Sequence, residues 1–248
     1  MLKTFIVSKK IKLKKAVTIT GLPGIGLIGR IAAEYIGEKL KAKEFATLYS
    51  PHFPPQVLME KNGIMKPITN RFYYAKLDDK DLVILLGDVQ AVDPVGQYEV
   101  AGEIAKFAKK IGVKEIITIG GYATGKLENN EIFGSANMKK MVEKFKKFKV
   151  NFSKPKGSIV GIAGLLPSLA IHYNIPSICI MATTHGSFVD PSGAQRVVEL
   201  LSKYLNVKID MSDLEKKAKE EQEVIKKVEE EIKKSFEQQA HKPLSYIR

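Results

Sequence analysis

A glycine-rich segment near the start of the chain has the spacing of a known phosphate-binding loop. Residues 24–29 read Gly-Ile-Gly-Leu-Ile-Gly, a GxGxxG pattern between a predicted strand and a predicted helix. In dinucleotide-binding folds such glycines bring the backbone close to a pyrophosphate at the helix N-terminus. A carboxylate that holds the ribose should then end the next strand, but Ser50, Pro51 and His52 stand there. We therefore favour a tight turn with close helix packing over a dinucleotide site.

A second glycine-rich segment, Gly120–Leu127, nearly matches the GxxxxGK[ST] loop of nucleotide triphosphatases. Leu127 stands where that loop needs a hydroxyl group for Mg²⁺, and residues 128–131 are a poor start for a helix. An ATPase is therefore disfavoured. A nucleotide- or small-ligand-binding α/β enzyme that uses the loops Gly24–Gly29 and Gly120–Lys126 stays open as the alternative function.

The remaining reactive side chains predict neither a metal site nor a catalytic group. The four histidines, His52, His172, His185 and His241, have no metal-binding spacing, and the chain has no GxSxG nucleophile motif. We therefore expect no catalytic residue, no metal ligand and no cofactor.

The elements that would position these residues alternate between strands and helices. The predicted strands are Ala16–Gly21, Phe45–Tyr49, Gln56–Glu60, Ile64–Ala75, Leu82–Leu86, Glu115–Ile119, Ser158–Ile162 and Ser177–Met181, with a turn at Lys61-Asn62-Gly63. The predicted helices are Leu27–Leu40 and the approximate ranges 96–110, 137–148, 165–173 and 192–204. Apolar strands that alternate with helices indicate the α/β class, with a mainly parallel central sheet flanked by helices on both faces.

Several polar or glycine residues are expected just beyond the carboxyl ends of these strands, where open α/β sheets form a crevice. The candidate cleft residues are Gly24, Gly26, Asp88, Gly121, Thr184 and His185. Such a crevice suits a ligand or a backbone-lined protein interface equally well.

The last 37 residues differ from the rest, so we divide the chain into an α/β domain (1–211) and a helical arm with a tail (212–248). Ser212–Glu215 has the pattern of a capping box, which predicts a long C-terminal helix from that point. One side of this helix carries an apolar stripe that could contact the body or a partner. The stripe residues are Leu214, Ile225, Val228, Ile232 and Phe236.

Composition narrows the function class. The net charge of +13 lies entirely before residue 212, because the arm has nine basic and nine acidic residues. Arginine, which suits base and phosphate recognition, supplies only four of the 40 basic residues, so no specific nucleic-acid binding is expected. The single cysteine fits a reducing compartment, and neither a membrane span nor an export signal is evident, so we expect a cytoplasmic protein without membrane contact.

Five groups of residues together resemble the proteasome assembly chaperone family, in its chaperone-2-like branch and archaeal form, over roughly residues 10–205. They are Gly21-Leu22-Pro23-Gly24-Ile25-Gly26 with Gly29, Gly87-Asp88 with Gly96-Gln97-Tyr98, Gly120-Gly121-Tyr122, Gly164-Leu165-Leu166 and Asp190-Pro191. The resemblance implies a non-enzymatic α/β domain with a phosphorylase-like sheet. It also implies self-association into a homo-oligomer and action through protein–protein contacts, with proteasome core subunits or a related chaperone as partners.

The resemblance further implies docking by the C-terminus, because some members insert a terminal hydrophobic–tyrosine–any-residue motif between proteasome α-subunits. This chain ends in Tyr246, Ile247 and Arg248, so the tyrosine stands one position earlier than in that motif. The expected function is a proteasome assembly chaperone- or activator-like scaffold that presents C-terminal helices and tails, with these three residues as the docking group.

Overall fold

The computed structural model describes residues 3–126, 130–153 and 157–216. Its strands are β1 (Phe5–Ser8), β2 (Val17–Gly21), β3 (Lys43–Tyr49), β4 (Val57–Met59), β5 (Met65–Pro67), β6 (Asn70–Ala75), β7 (Leu82–Gly87), β8 (Glu115–Ala123), β9 (Ile132–Ala136) and β10 (Ser177–Thr184). Its helices are α1 (Ile28–Lys39), α2 (Pro94–Lys110), α3 (Lys139–Lys146), α4 (Ile162–Ala170) and α5 (Pro191–Leu205).

Eight strands form one sheet in the order β1-β3-β6-β7-β2-β8-β10-β9, and β4 pairs with β5 as a separate hairpin. The four central strands, β7, β2, β8 and β10, are parallel to one another, whereas the outer pairs are antiparallel. The predicted α/β class is confirmed, with parallel pairing concentrated in the middle of a mixed sheet.

Alternate residues of the central strands face opposite sides of the sheet, and each side carries its own helices. Leu82 and Ile84 belong to the core on the face covered by α1, α3 and α5, whereas Val83 and Leu85 belong to the core on the face covered by α2 and α4. All four side chains are buried, and burial of an aliphatic side chain of this size contributes about 1.5–3 kcal/mol. This two-sided burial explains why the run from 82 to 86 is continuously apolar.

The predicted strand Ser158–Ile162 is wrong. The segment is an irregular turn in which Gly161 has a φ of +80°, and helix α4 begins at Ile162. Val160 is 88% exposed, so the apolar run at this point does not mark a buried strand. The short strands β1 and β9 were not predicted, and β8 and β10 extend to Ala123 and Thr184, beyond their predicted ends.

The predicted hairpin is confirmed, since Met59 pairs with Met65 and Gly63 lies in the connecting turn with a φ of +79°.

Strand directions sort the connecting segments into two opposite edges of the sheet. The segments 22–27, 50–69, 88–98, 157–161 and 185–190 lie at the edge where the parallel strands end, and we call these five the apolar edge. Residues 124–126 and 130–131 lie at the same edge and carry Lys126 and Glu131, but they are not counted in this set. The segments 9–16, 40–42, 76–81, 111–114, 171–176 and 206–211 lie at the opposite edge, which we call the lysine-rich edge.

The root of the predicted arm is attached at the lysine-rich edge. The Tyr35 hydroxyl donates a hydrogen bond to the Asp210 carbonyl oxygen at 2.8 Å, and Lys39 pairs with Asp213 at 2.8 Å. Residues 212–216 are helical, and Leu214, the first stripe residue, is only 1% exposed within the core. The other stripe residues, Ile225, Val228, Ile232 and Phe236, lie outside the described residues, so the division at residue 211 stays a prediction.

Candidate functional site

A cleft of about 660 Å³ opens at the apolar edge, between the ends of β2 and β8 and the turn that precedes α4. The ladder between β2 and β8 ends at the pair Thr20 and Thr118, while β8 continues along β10 to Ala123. The chain after β2 turns into α1 on one face, and α4 begins on the other face. This is the type of crevice in which open α/β sheets bind ligands, and its volume is within the usual range for such sites.

Glycines allow the backbone segments around this crevice to approach closely. A Cβ atom on Gly121 would lie 2.3 Å from the Ile25 carbonyl oxygen, and one on Gly29 would lie 2.6 Å from the Ile119 carbonyl oxygen. Of the three motif glycines, Gly29 is explained by the packing of α1 against β8 and Gly26 by its φ of +65°, whereas a Cβ atom on Gly24 would meet nothing within 4 Å. Close helix packing therefore accounts for the last glycine of the motif, and the tight turn accounts for the second.

Two glutamines of the segment after β7 shape one wall of the cleft. The Gln90 side chain donates to the Pro23 carbonyl oxygen at 2.5 Å and accepts from the Ile162 backbone N–H at 3.1 Å, which ties the two rims together. Gln97 donates to the Ala91 carbonyl oxygen at 2.6 Å, and its Oε1 atom is buried without a partner.

The described residues that line this cleft include no charged side chain. Apolar groups such as Leu22, Ile119 and Met181 make up most of its surface. The polar side chains along it are the amides of Gln90 and Gln97 and the hydroxyl groups of Thr20, Tyr122 and Ser158. Burial of a phosphate or carboxylate there would leave its charge without a counterion, which is unfavourable. The cleft is therefore suited to an uncharged group, and a nucleotide is a poor match.

The six predicted cleft residues separate into three places. Gly24 and Gly121 line the cleft itself. Gly26, Thr184 and His185 do not line the cleft and lie between the turn that precedes α1 and the segment 185–190. There the Gly26 carbonyl oxygen accepts a hydrogen bond from the Asp190 N–H, and the His185 ring contacts Phe188. Asp88 lies apart from them and pairs with Arg30 at 2.9 Å. Gln90, Gln97 and Val160 were not predicted as cleft residues.

Exposed apolar side chains are concentrated at this edge. Of the 16 large apolar residues that are exposed in the described part of the chain, 13 belong to the apolar edge. They are Ile25, Leu27, Val57, Leu58, Met59, Ile64, Met65, Val92, Val95, Tyr98, Val160, Phe188 and Val189. A concentration of exposed apolar residues at one edge of a protein is typical of a protein-interaction site.

His52 lies between two carboxylates, Asp93 and Glu99, at the apolar edge. His52 Nδ1 lies 2.8 Å from Asp93, which also caps α2 by accepting from the Gly96 N–H, and Nε2 lies 3.4 Å from Glu99. The hydrogen bond to Asp93, with a smaller contribution from Glu99, raises the pKa of His52. The backbone and side-chain hydrogen bonds that the carboxylates accept lower the pKa of Asp93 and Glu99.

Within the ranges 3–126, 130–153 and 157–216, no group of three or more His, Cys, Asp or Glu side chains is arranged to hold a metal ion. The same ranges contain no helix with the length and apolar composition needed to cross a membrane.

The model of the PAC2 family matches residues 18–229. The chain belongs to the PAC2 family. This match includes the α/β body and the beginning of the predicted arm, and it confirms the membership that the glycine motifs and their order predicted.

Relatives and solved structures agree with this assignment. An uncharacterized protein of Methanocaldococcus jannaschii is 39% identical over 238 residues, which cover 93% of this chain and 92% of that protein. The crystal structure of PbaB from Pyrococcus furiosus, described as an archaeal proteasome activator, superposes with a TM-score of 0.87 at 37% identity, covering 92% of this chain and 100% of PbaB. PbaA from the same organism, described as an archaeal homolog of proteasome-assembly chaperone, gives a TM-score of 0.78 at 26% identity, covering 96% and 97%.

The predicted docking group, Tyr246, Ile247 and Arg248, lies outside the described residues. Its assignment stays a prediction that the experiments below address.

Proposed function

We propose that this PAC2 protein is a non-enzymatic scaffold of the proteasome assembly chaperone and activator type. It associates with copies of itself and presents C-terminal helices and tails to a protein partner, with proteasome core subunits as the expected partner. The observation that carries the proposal is the similarity to PbaB, an archaeal proteasome activator, over 92% of this chain.

The attachment of the arm supports a presenting role. The Tyr35–Asp210 hydrogen bond, the Lys39–Asp213 ion pair and the buried Leu214 side chain fix the root of the arm to the C-terminal end of α1. A fixed root limits the volume that the following residues can sample, which lowers the entropy lost when the tail docks.

The lysine-rich edge beside this root supports the choice of an acidic protein surface as partner. Its segments contain ten lysines and four aspartates. Such an excess of positive charge increases the rate of encounter with a negatively charged surface, and this attraction weakens as salt concentration rises.

The test is a pull-down of proteasome α-subunits by the full-length protein and by a variant that lacks Tyr246–Arg248. Ser245→Ala serves as the matched control because it changes the residue next to the docking group and leaves the group intact. We expect the full-length and Ser245→Ala proteins to retain the α-subunits and the deletion variant to lose them. Equal retention by all three proteins would remove the tail from the docking mechanism.

A further inference from the structure

The β4–β5 hairpin extends from the apolar edge without burying any of its own residues. Every residue from 55 to 67 is exposed, and Met59, at 86%, is among the most exposed apolar side chains described. A two-stranded hairpin is marginally stable in water unless it packs against another surface. The monomer therefore leaves this hairpin without the packing that normally stabilises such an element.

The pairing register gives the hairpin two different faces. Val57 pairs with Pro67 and Met59 pairs with Met65, so these four apolar residues share one face. The other face carries the pair Leu58 and Lys66, and Lys66 forms an ion pair with Glu60 at 2.5 Å. One face is thus entirely uncharged, and the charges that keep the hairpin compatible with water lie on the other.

The cleft between β2 and β8 has the chemistry that matches the uncharged face. It lies at the same edge of the sheet, its described lining has no charged side chain, and its volume of about 660 Å³ is large enough for several aliphatic side chains. We propose that the β4–β5 hairpin of one copy packs its apolar face against the cleft of a second copy. This inference rests on the self-association stated under the proposed function and names the surfaces that would carry it.

The distribution of charge identifies a second copy as the occupant. Copies with a net charge of +13 repel each other, most strongly where their lysine-rich edges would meet. The five segments of the apolar edge contain two lysines, Lys61 and Lys66, and Lys3 and Lys126 lie beside them, so copies that approach through this edge bring together fewer lysines than copies that meet through the lysine-rich edge. An acidic partner would instead be attracted to the lysine-rich edge.

The size and symmetry of the proposed contact are also consistent with an interface between copies of this chain. A stable interface takes about 20–30 residues from each partner, and the five segments of the apolar edge supply more than that. Each copy carries one hairpin and one cleft at different positions along the edge. A two-fold pair or a closed ring therefore engages every hairpin and every cleft.

Crosslinking between two singly substituted chains tests the contact. The native Cys179 does not interfere, because it is 1% exposed and burial raises the pKa of its thiol to about 11. A Met59→Cys chain is mixed with a larger, tagged Val160→Cys chain and treated with a short bis-maleimide. Val160 stands at the rim of the cleft, so we expect a mixed crosslinked dimer on a denaturing gel.

The matched control replaces the Val160→Cys chain with Ile171→Cys, an exposed apolar position at the lysine-rich edge, for which we expect at least tenfold less mixed dimer. If the wild-type protein is oligomeric but Met59→Cys and Val160→Cys do not crosslink above this control, the hairpin–cleft contact is wrong and self-association stands. A wild-type protein that stays monomeric at high concentration contradicts both proposals.

Charge substitution provides a second readout. Met59→Lys and Val160→Lys each place a cation in the proposed contact, and both positions are exposed in the monomer. We expect each variant to weaken self-association at least tenfold in sedimentation experiments, with Lys61→Gln as the control at the hairpin turn. Unchanged association of both lysine variants would overturn the contact.

Discussion

The two edges of the sheet carry opposite kinds of surface on one scaffold. Both contain four acidic residues, but the apolar edge has two lysines and the lysine-rich edge has ten. The apolar edge holds 13 of the exposed large apolar residues, whereas the segments of the lysine-rich edge hold one, Ile171. The net charge of the chain is therefore not spread evenly over the body.

This difference suits the two edges to two different kinds of contact. Apolar surface with few charges favours contact between identical copies, because like charges are kept apart and water is removed from apolar groups. A lysine-rich surface beside the root of the arm favours approach to an acidic partner. Substitutions at one edge should therefore leave the property assigned to the other edge unchanged.

The largest effect is expected for Gly121→Val at the apolar edge. Its Cβ would lie 2.3 Å from the Ile25 carbonyl oxygen, so the turn before α1 must move and the cleft must change shape. We expect the free energy of unfolding to fall by about 2–4 kcal/mol, as measured by urea denaturation.

The matched control for that substitution is Gly112→Ala at the lysine-rich edge. Gly112 has a φ of +77° and open space around its Cβ position, so the cost is limited to backbone strain of about 1–2 kcal/mol. If Gly121→Val were no more destabilising than Gly112→Ala, the close approach between Ile25 and β8 would not be an important feature of the fold.

A smaller loss is expected for Asp81→Ala at the lysine-rich edge. Asp81 is 2% exposed, accepts a hydrogen bond from the Lys14 N–H at 2.5 Å and pairs with Lys76 at 2.8 Å. Its removal leaves the Lys14 N–H without this acceptor and takes one of two acceptors from Lys76, which also donates to the Lys12 carbonyl oxygen, at a cost of about 2 kcal/mol. Urea denaturation should show this loss, while the oligomer mass should stay that of the wild type. A change in the oligomer would mean that the two edges are not independent.

The pH dependence of stability also tests the comparison between the two edges, because His52 and its carboxylate partners lie at the apolar edge. The pKa of His52 is raised by Asp93 and then Glu99, so its stabilising contribution is complete below the ordinary imidazole pKa of about 6.5. That contribution is lost as pH rises through the raised pKa of the folded state. We expect the Tm of the wild type to fall over this interval and the Tm of His52→Gln to change less.

The carboxylates of this cluster act in the opposite direction. The lowered pKa values of Asp93 and Glu99 mean that their contribution is present above about pH 4 and is lost on further acidification. Thermal melts between pH 5.5 and 8.5 therefore isolate the histidine. Parallel curves for the wild type and His52→Gln would show that this imidazole does not couple protonation to folding.

The smallest effect on monomer stability is expected for Met59→Lys. The side chain is 86% exposed and contributes little to the monomer core, so the free energy of unfolding of dilute protein should change by less than about 0.5 kcal/mol. A loss well above this in urea denaturation would show that the hairpin already packs within the monomer.

The sequence was most informative where a strand is buried on both faces of the sheet, because such a strand must be apolar throughout. The run Leu82–Leu86 has no polar residue, and such a run predicts a buried strand, as observed for β7, which pairs in parallel with β2 and antiparallel with β6. The turn at Lys61-Asn62-Gly63 was equally clear, because glycine readily adopts the positive φ found there. The strand-end location of the cleft also followed from the α/β class.

Other features had no distinguishing pattern. Residues 159–162 are apolar, like a buried strand, but in the folded chain they line the cleft and its rim. Gln90 and Gln97 belong to no motif, and only the folded chain brings their amides to the wall of the cleft. Asp88 was placed in the cleft because it follows a strand, but its ion pair with Arg30 holds it elsewhere.

The division between the edges is tested most directly by native mass spectrometry of the wild type, Val160→Lys and the Tyr246–Arg248 deletion, each alone and mixed with proteasome α-subunits. We predict that Val160→Lys alone gives a smaller assembly than the wild type. We predict that the deletion variant forms the same oligomer as the wild type but does not bind α-subunits. An intact oligomer for Val160→Lys together with a dissociated one for the deletion would contradict the assignment, because self-association would then depend on the C-terminal tail.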